Sequence, residues 1–244
     1  KHYDVNEKNA YASLVFETNF TEAHNLSAGL SLNHDYLRQN LSLTTPTAIL
    51  SNYGNLYPLK NNVESETTPG AYVQYTFNLH NHFIAMAGFR VDHSNVYGTF
   101  ATPRFHVKWV ATDFLTLRLS AGKGYRSPHA LAENNYLLAS GRCLMVDQPL
   151  KQEEAWNYGT STALNIPLFN KTLKLNAEYY YTHFTNQTVI DYDSNPLELH
   201  IGNLNGKSYS HTFQIDASYP VFRGFELTAA YRYNLVKTTY GARL

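Results

Sequence analysis

The segment His80-Asn81-His82 has two histidines separated by one residue, a spacing that could bind a metal ion. An extended chain would place both imidazoles on one face, where they could bind a metal ion. A zinc site needs three or four ligands, however, and no third candidate lies nearby in the sequence. The pair also falls where the pattern predicts a turn. We therefore expect no metal site and no cofactor.

The segment Asp92-His93-Ser94 contains the residue types of a serine hydrolase in the tightest grouping that the chain offers. Adjacent residues of an extended chain point to opposite faces, so this spacing does not bring nucleophile and base within hydrogen-bonding reach. No glycine-rich phosphate loop follows a strand and opens a helix. We therefore predict that the protein is not an enzyme.

Charged and aromatic side chains in long polar segments are the better candidates for binding. Arg126, Glu133 and Arg142 could meet an anionic ligand, or they could pair with one another or with lipid headgroups. Tyrosines in similar segments could stack on a ligand. The predicted ligand-binding residues are Tyr53, Tyr57, Arg126, Tyr136, Arg142 and Tyr192.

The elements that must position these residues show a strict two-residue alternation. Between residues 25 and 33, Leu26, Ala28, Leu30 and Leu32 alternate with polar residues. Such a period predicts a strand with one apolar and one polar face. Similar segments occur near 12–20, 25–33, 71–78, 83–92, 104–109, 115–122, 153–166, 173–192, 207–219 and 225–237, with a shorter one near 197–203.

The lengths of these segments and of their connections point to a barrel wall. Strands in ordinary globular sheets average about 5–6 residues, whereas several of these runs are much longer. Short connections alternate with mostly long ones, at about 35–68, 125–152 and 192–207. Outer-membrane barrels have short turns at the periplasmic end and long loops outside. The sequence thus predicts an antiparallel transmembrane β-barrel of about ten strands, and a soluble β-sandwich with the same alternation stays the alternative.

Composition narrows the function further. The 20 tyrosines and 13 phenylalanines suit strands and the aromatic belts of a membrane interface. Lysine plus arginine equals aspartate plus glutamate at 19 each, so we expect no nucleic-acid partner. The single cysteine, Cys143, allows no disulfide within the chain, and its role stays open between a loop thiol and a bond to another segment.

Several stretches resemble the barrel of TonB-dependent outer-membrane receptors, in details closest to those of the Bacteroidetes. In that family a strand ends in a Gly-[Phe/Tyr]-Arg-x-Pro box followed by a glutamate, and Gly124, Tyr125, Arg126, Pro128 and Glu133 match it. Further similar stretches are the strand opening at 151–159, where glutamine replaces the family's proline, the tyrosine-rich strand at 179–186 and the strand entry at 203–210.

The resemblance implies a barrel of 22 strands with an N-terminal plug, located in the bacterial outer membrane. It implies active import of a scarce nutrient, such as a metal chelate, a siderophore or a corrinoid. Outer-membrane lipid, the TonB complex through an N-terminal region and the small ligand would be the partners, and a surface lipoprotein stays an open one. We expect residues 1–244 to be one partial barrel domain without the plug. A passive porin stays the alternative function.

Overall fold

A computed structural model describes residues 2–42, 49–51, 61–147 and 149–240. In this part of the chain ten strands form one antiparallel sheet, which we call the wall. In sheet order the wall strands are β1 (His2–Thr21), β2 (His24–Ser42), β4 (Asn62–Leu79), β5 (Phe83–Ser94), β6 (Gly98–Thr112), β7 (Leu115–Arg126), β9 (Glu153–Leu168), β10 (Lys171–Asn186), β13 (Gly206–Phe222) and β14 (Phe225–Tyr240).

The alternating apolar residues lie in rows on one face of the wall. Leu14 pairs with Leu30, and Leu30 pairs with Ala71 on the next strand, so the register keeps apolar residues beside each other. Leu14 is 70% exposed and Leu30 is 59% exposed. A soluble sandwich would bury these side chains against a second sheet. The described residues place no sheet over this outer face, so the sandwich alternative is wrong.

The opposite, inner face is polar and concave. It lines a groove of about 580 Å³ that crosses the wall. Polar side chains from neighbouring strands border this groove beside the apolar Ile84 and Met86. The polar ones include His106, Lys108, Arg118, Ser120, Asn157 and Ser161. An apolar outer face and a polar concave face are what a wide membrane barrel needs, with lipid outside and water in the lumen.

Aromatic side chains on the outer face form two belts. In the upper belt the ring of Tyr181 lies 6.4 Å from that of Tyr158 and 5.0 Å from that of His211. The lower belt consists of exposed rings near the short turns, namely Phe20, Trp109, Phe114, Phe169, Phe222 and Phe225. Tyr158 and Phe169 are eleven positions apart along β9 and its turn. With about 3.3 Å per residue and a strand tilt of about 40°, the two belts are separated by roughly 25–30 Å along the membrane normal, close to the apolar band of a membrane barrel.

The predicted short connections are confirmed as tight turns. The turn between β4 and β5 has positive φ angles at His80 (49°) and Asn81 (61°), and Phe169 (47°) and Asn170 (60°) repeat the pattern between β9 and β10. Two successive left-handed residues match the right-handed twist of the paired strands. The histidine pair His80 and His82 therefore lies in a hairpin turn.

The long connections differ from the sequence prediction in two ways. β2 continues to Ser42 and β4 begins at Asn62, so both ends of the loop predicted at 35–68 are strand. Above the apolar band both faces meet polar surroundings, so the two-residue period fades while the hydrogen-bond ladder continues. The segment predicted as one strand at 173–192 divides, because β10 ends at Asn186 and a separate strand begins at Thr188.

The connections at the end of the wall opposite the short turns fold together into a second unit, which we call the cap. It consists of strands β3 (Ile49–Ser51), β8 (Cys143–Val146), β11 (Thr188–Asp191) and β12 (Glu198–Asn203), helix α1 (Ala130–Glu133) and a 3-10 helix (Asn135–Ala139). The strands form a sheet in the order β11-β12-β8-β3, in which β12, β8 and β3 run parallel.

The cap has an apolar core of its own that also includes the top of the wall. Leu131, Leu144, Val146 and Ile201 are each at most 3% exposed, and Leu41 of β2 packs in the same cluster. The described segments of the cap therefore share one buried core. Among the described residues no helix combines the length and apolarity needed to cross a membrane.

Candidate ligand-binding site at the outer rim

A polar pocket of about 300 Å³ lies where the cap meets the inner face of the wall. Residues from the end of β7, from α1 and from β11 line it. We call this pocket and the residues bonded to its edge the rim site. The lining residues are Arg126, Glu133, Asn134, Gln187, Thr188, Val189, Ile190, Tyr192 and Thr238.

Arg126, the last residue of β7, lines the pocket and contacts two carboxylates beside it. Its Nε–H donates to Oε2 of Glu153 over 2.5 Å, and its Nη1 lies 3.1 Å from Oε2 of Glu133. Arg126 and Glu153 are cross-strand partners, so the ladder between β7 and β9 sets this contact. Because two carboxylates flank one guanidinium, its positive charge is already compensated.

Three other predicted residues come together at the edge of the pocket. The hydroxyl oxygens of Tyr136 and Tyr192 lie 3.1 Å apart, although the residues are far apart in sequence. Nη1 of Arg142 donates to the backbone carbonyl of Tyr192 over 3.0 Å. That carbonyl is neutral, and within the part of the chain that the structure describes no carboxylate forms a salt bridge with Arg142. The edge thus offers two aromatic rings and a cation.

The residues of the family box occupy one continuous stretch. Gly124 and Tyr125 lie in β7, and Pro128 is buried between that strand and α1. The strand ends at Arg126, before the proline, as a residue without a ladder donor requires. Glu133 closes α1 and pairs with Arg126. A side chain at Gly124 would meet nothing within 4 Å, so packing does not explain the glycine.

Tyr53 and Tyr57 lie outside the described residues. Among the described ones, no three His, Cys, Asp or Glu side chains form a metal-binding group. The three residues of the hydrolase-like segment bond elsewhere: Asp92 to Arg90, His93 to Thr99 and Ser94 to Glu66.

Sequence reasoning missed the polar contacts that fasten the cap to the wall. Nδ1 of His129 lies 2.8 Å from Oε2 of Glu64, and its Nε2 lies 3.7 Å from Oδ2 of Asp35. Oε1 of Glu153 accepts a hydrogen bond from the backbone N–H of Thr188 at 2.9 Å. His129 and Glu64 are separated by 65 positions, so no local signal could have joined them.

The single-layer wall, with its apolar outer face, two aromatic belts and polar concave face, defines a transmembrane β-barrel protein. The sequence model of the family described as "TonB dependent receptor-like, beta-barrel" matches residues 2–243. The chain therefore belongs to this family, whose members lie in the bacterial outer membrane and are receptors and transporters rather than enzymes.

Solved structures share the fold at low sequence identity. The siderophore receptor PirA from Pseudomonas aeruginosa matches with a TM-score of 0.70 and 13% identity, over 96% of this chain and 44% of that one. The FrpB iron transporter from Neisseria meningitidis (F3-3 variant) gives 0.69 and 16%, over 96% and 36%. The ferric enterobactin receptor PfeA in complex with BCV-L6 gives 0.72 and 15%, again over 96% and 36%.

The chain thus spans 36–44% of the length of these three structures. A search of curated proteins by sequence finds no significant match.

Proposed function

We propose that the chain forms part of the wall of a TonB-dependent importer, which carries a scarce nutrient across the bacterial outer membrane. The proposed ligand is a metal chelate, a siderophore or a corrinoid. The TonB complex would supply the energy through an N-terminal region of the importer. Iron and siderophores appear in the descriptions of the similar structures, which supports this ligand class.

The observation that carries the proposal is the rim site, a polar pocket of about 300 Å³ between the cap and the wall. A passive porin needs a polar wall, but it does not need an ordered pocket at its mouth. Here the cap has its own core, and this core holds the pocket in shape. A pocket whose backbone is held by a packed core loses little conformational entropy when a ligand binds.

The charges of the rim site favour contact with an anionic ligand through Arg142. Arg126 already faces Glu133 and Glu153, whereas Arg142 donates to a neutral carbonyl. A charged hydrogen bond contributes about 1.5–3 kcal/mol, which corresponds to roughly tenfold or more in affinity. Tyr136 and Tyr192 would add stacking surface for an aromatic or macrocyclic ligand.

Uptake by cells that make the full-length protein tests the proposal. A panel of ferric siderophores carrying radioactive iron, together with radiolabelled cyanocobalamin, is supplied to strains with and without TonB. We expect saturable uptake of at least one probe that requires TonB. Arg142→Ala should raise the half-saturating concentration about tenfold. Arg223→Ala, an arginine change in the short turn between β13 and β14, is the matched control and should leave uptake unchanged.

The porin alternative makes the opposite prediction. Uptake that is linear with concentration and equal in the two strains would overturn the importer proposal. Equal half-saturating concentrations for Arg142→Ala and the wild type would leave import standing and remove Arg142 from the site.

A further inference from the structure

His129 is the contact that joins the start of helix α1 to two strands of the wall. Its Nδ1 lies 2.8 Å from Oε2 of Glu64 on β4, and its Nε2 lies 3.7 Å from Oδ2 of Asp35 on β2. The imidazole is three-quarters buried between them. The residues that follow, Ala130 and Leu131, enter the core of the cap. One side chain thus bridges two neighbouring wall strands and the first element of the cap.

The protonation state of this imidazole decides how many N–H groups it can direct at the neighbouring carboxylates. A neutral imidazole carries one N–H, whereas an imidazolium carries two. If the N–H of the neutral form faces Glu64, the lone pair of Nε2 faces the carboxylate of Asp35. The other oxygen of Asp35, Oδ1, is buried and has no hydrogen-bond partner. Only the protonated form presents an N–H to both carboxylates, with a hydrogen bond to Glu64 and an ion pair with Asp35.

Other groups around His129 make the region negative. Its backbone N–H donates to Oε1 of Glu133 in α1 over 3.3 Å. Glu66 of β4 lies near Tyr97, in the turn between β5 and β6, and burial raises the pKa of that phenol to about 12, so it stays neutral. From β1, the hydroxyl of Tyr3 donates to Gln39, which in turn donates to Glu64. Arg126 is the nearby cation, and it is bound by Glu133 and Glu153.

We propose that His129 acts as a proton-operated latch, which fastens α1 and the rim-site residue Glu133 to β2 and β4 at acidic pH and loosens them as the pH rises. The inference concerns the regulation of the rim site. It can be tested without a ligand, so it does not depend on the import proposal for its test.

The direction of the effect follows from proton linkage. The hydrogen bond to Glu64 is the main cause that raises the pKa of His129 above its ordinary 6.5, against the opposing effect of burial. A group with a raised pKa in the docked state stabilises docking fully below its ordinary pKa, and this contribution is lost as the pH rises through the docked value. The latch is therefore closed below pH 6.5 and opens above it.

Hydrogen exchange of the full-length protein in lipid nanodiscs measures this latch. The amide of Glu133, which donates to the backbone carbonyl of His129, reports the local opening of α1 after correction for the intrinsic effect of pH on exchange. A single linked proton changes the opening equilibrium by at most ~10-fold per pH unit. We expect α1 to open more as the pH rises above 6.5, while the amides of β9 in the wall show no such trend.

Three variants separate the latch from a general effect of pH. His129→Gln can still donate to Glu64 but takes no charge, so its α1 profile should be flat. Asp35→Asn removes the carboxylate that faces the lone pair of the neutral imidazole. This variant should raise the protection of α1 from exchange at high pH. His200→Gln is the matched control, because His200 also pairs with a carboxylate, Asp147, but within the cap. Its profile should follow the wild type.

A flat wild-type profile, or a His129→Gln profile equal to that of the wild type, would overturn the latch. If His129→Gln disorders the cap at every pH, the wild-type profile and Asp35→Asn still decide. Loss of protection at high pH in Asp35→Asn equal to that in the wild type would also count against it. None of these readouts changes if the protein proves to be a porin.

Discussion

Arg126 and Glu153 are partners across β7 and β9, and the Nε–H of Arg126 donates to Oε2 of Glu153 over 2.5 Å. The other carboxylate oxygen accepts the backbone N–H of Thr188, the first residue of β11. Glu153 is mostly buried, with 11% of its side chain exposed. One carboxylate therefore connects two wall strands to the cap strand that lines the rim site.

The first prediction concerns this connection. Glu153→Gln keeps the shape but removes the charge, so charged hydrogen bonds that contribute about 1.5–3 kcal/mol become neutral ones that contribute about 0.5–1.5 kcal/mol. We expect the amides of β11 to exchange at least ~5-fold faster in this variant, as measured by hydrogen exchange of the full-length protein. In a double-mutant cycle with Arg126→Lys, the two changes should be coupled by about 1 kcal/mol, because Arg126 is more than half exposed and its pair is screened. Strict additivity of the two substitutions would contradict the direct pairing.

The second prediction distinguishes the two faces of the wall. Ile215 is outward on β13, while Gln214 beside it faces inward between Glu178 and Arg232. Arginine on the lipid face near the membrane centre costs about 2–4 kcal/mol, whereas on the inner face it meets water. Ile215→Arg should lower the yield of folded, heat-modifiable protein in the outer membrane, and Gln214→Arg should leave it near the wild-type level. Equal yields for the two variants would show that lipid does not cover this face.

The third prediction concerns a glycine that lies beneath an aromatic ring. A Cβ at Gly159 would lie 2.5 Å from Oγ of Ser120 on β7 and 2.6 Å from Cε1 of Tyr180 on β10. A Cβ at Gly88 on β5 would have its nearest neighbour at 3.8 Å. Overpacking of this kind costs about 1–3 kcal/mol. Gly159→Ala should lower the melting temperature of the protein in detergent, measured by circular dichroism. Gly88→Ala is the control and should melt within a degree or two of the wild type. If both variants melt alike, the ring of Tyr180 moves aside without cost.

The fourth prediction concerns Cys143 in the cap strand β8. Burial raises the pKa of its thiol, with a smaller contribution from the negative charge of Glu198. The thiolate is the reactive form, so a raised pKa lowers its fraction at neutral pH. Maleimide should label Cys143 severalfold more slowly than a cysteine placed at the exposed Asp193 in a Cys143→Ser background. The difference should shrink as the pH rises towards the raised value. Equal rates at neutral pH would contradict the burial of the thiol.

The sequence was sufficient to predict the wall, because its strands carry their own signal. The alternation from Leu26 to Leu32 identifies β2 and its lipid-facing side without any partner strand. Where lipid ends, this signal ends too, and the upper halves of β2 and β4 were therefore predicted as loop. Their residues continue to pair, as Gln39 does with Asn62, but no apolar face marks them.

Of the cap, the short strand predicted near 197–203 is confirmed as β12. The way the cap strands assemble could not be predicted, because it depends on contacts between distant segments. β8 has four residues, which is too short to show a period, and it pairs in parallel with β3 and β12 from two other connections. Of the rim site, Arg126 and Glu133 could be found, because they lie in one motif. The contacts of His129 and Glu153 required the three-dimensional register. The role of Arg142, Tyr136 and Tyr192 in ligand binding stays a prediction.

The parallel pairing of β3, β8 and β12 fixes the order in which the protein can assemble. Each of these strands belongs to a connection whose two ends are held by different wall strands, so their ladder can form only after the hairpins around them stand in register. Contacts between segments far apart in the chain are slow to form, because the entropy of closing the intervening chain is lost first. We therefore expect the cap to be the last part of the molecule to form. A hairpin that slips by two residues would keep its apolar face toward lipid but would leave the cap strands without their partners.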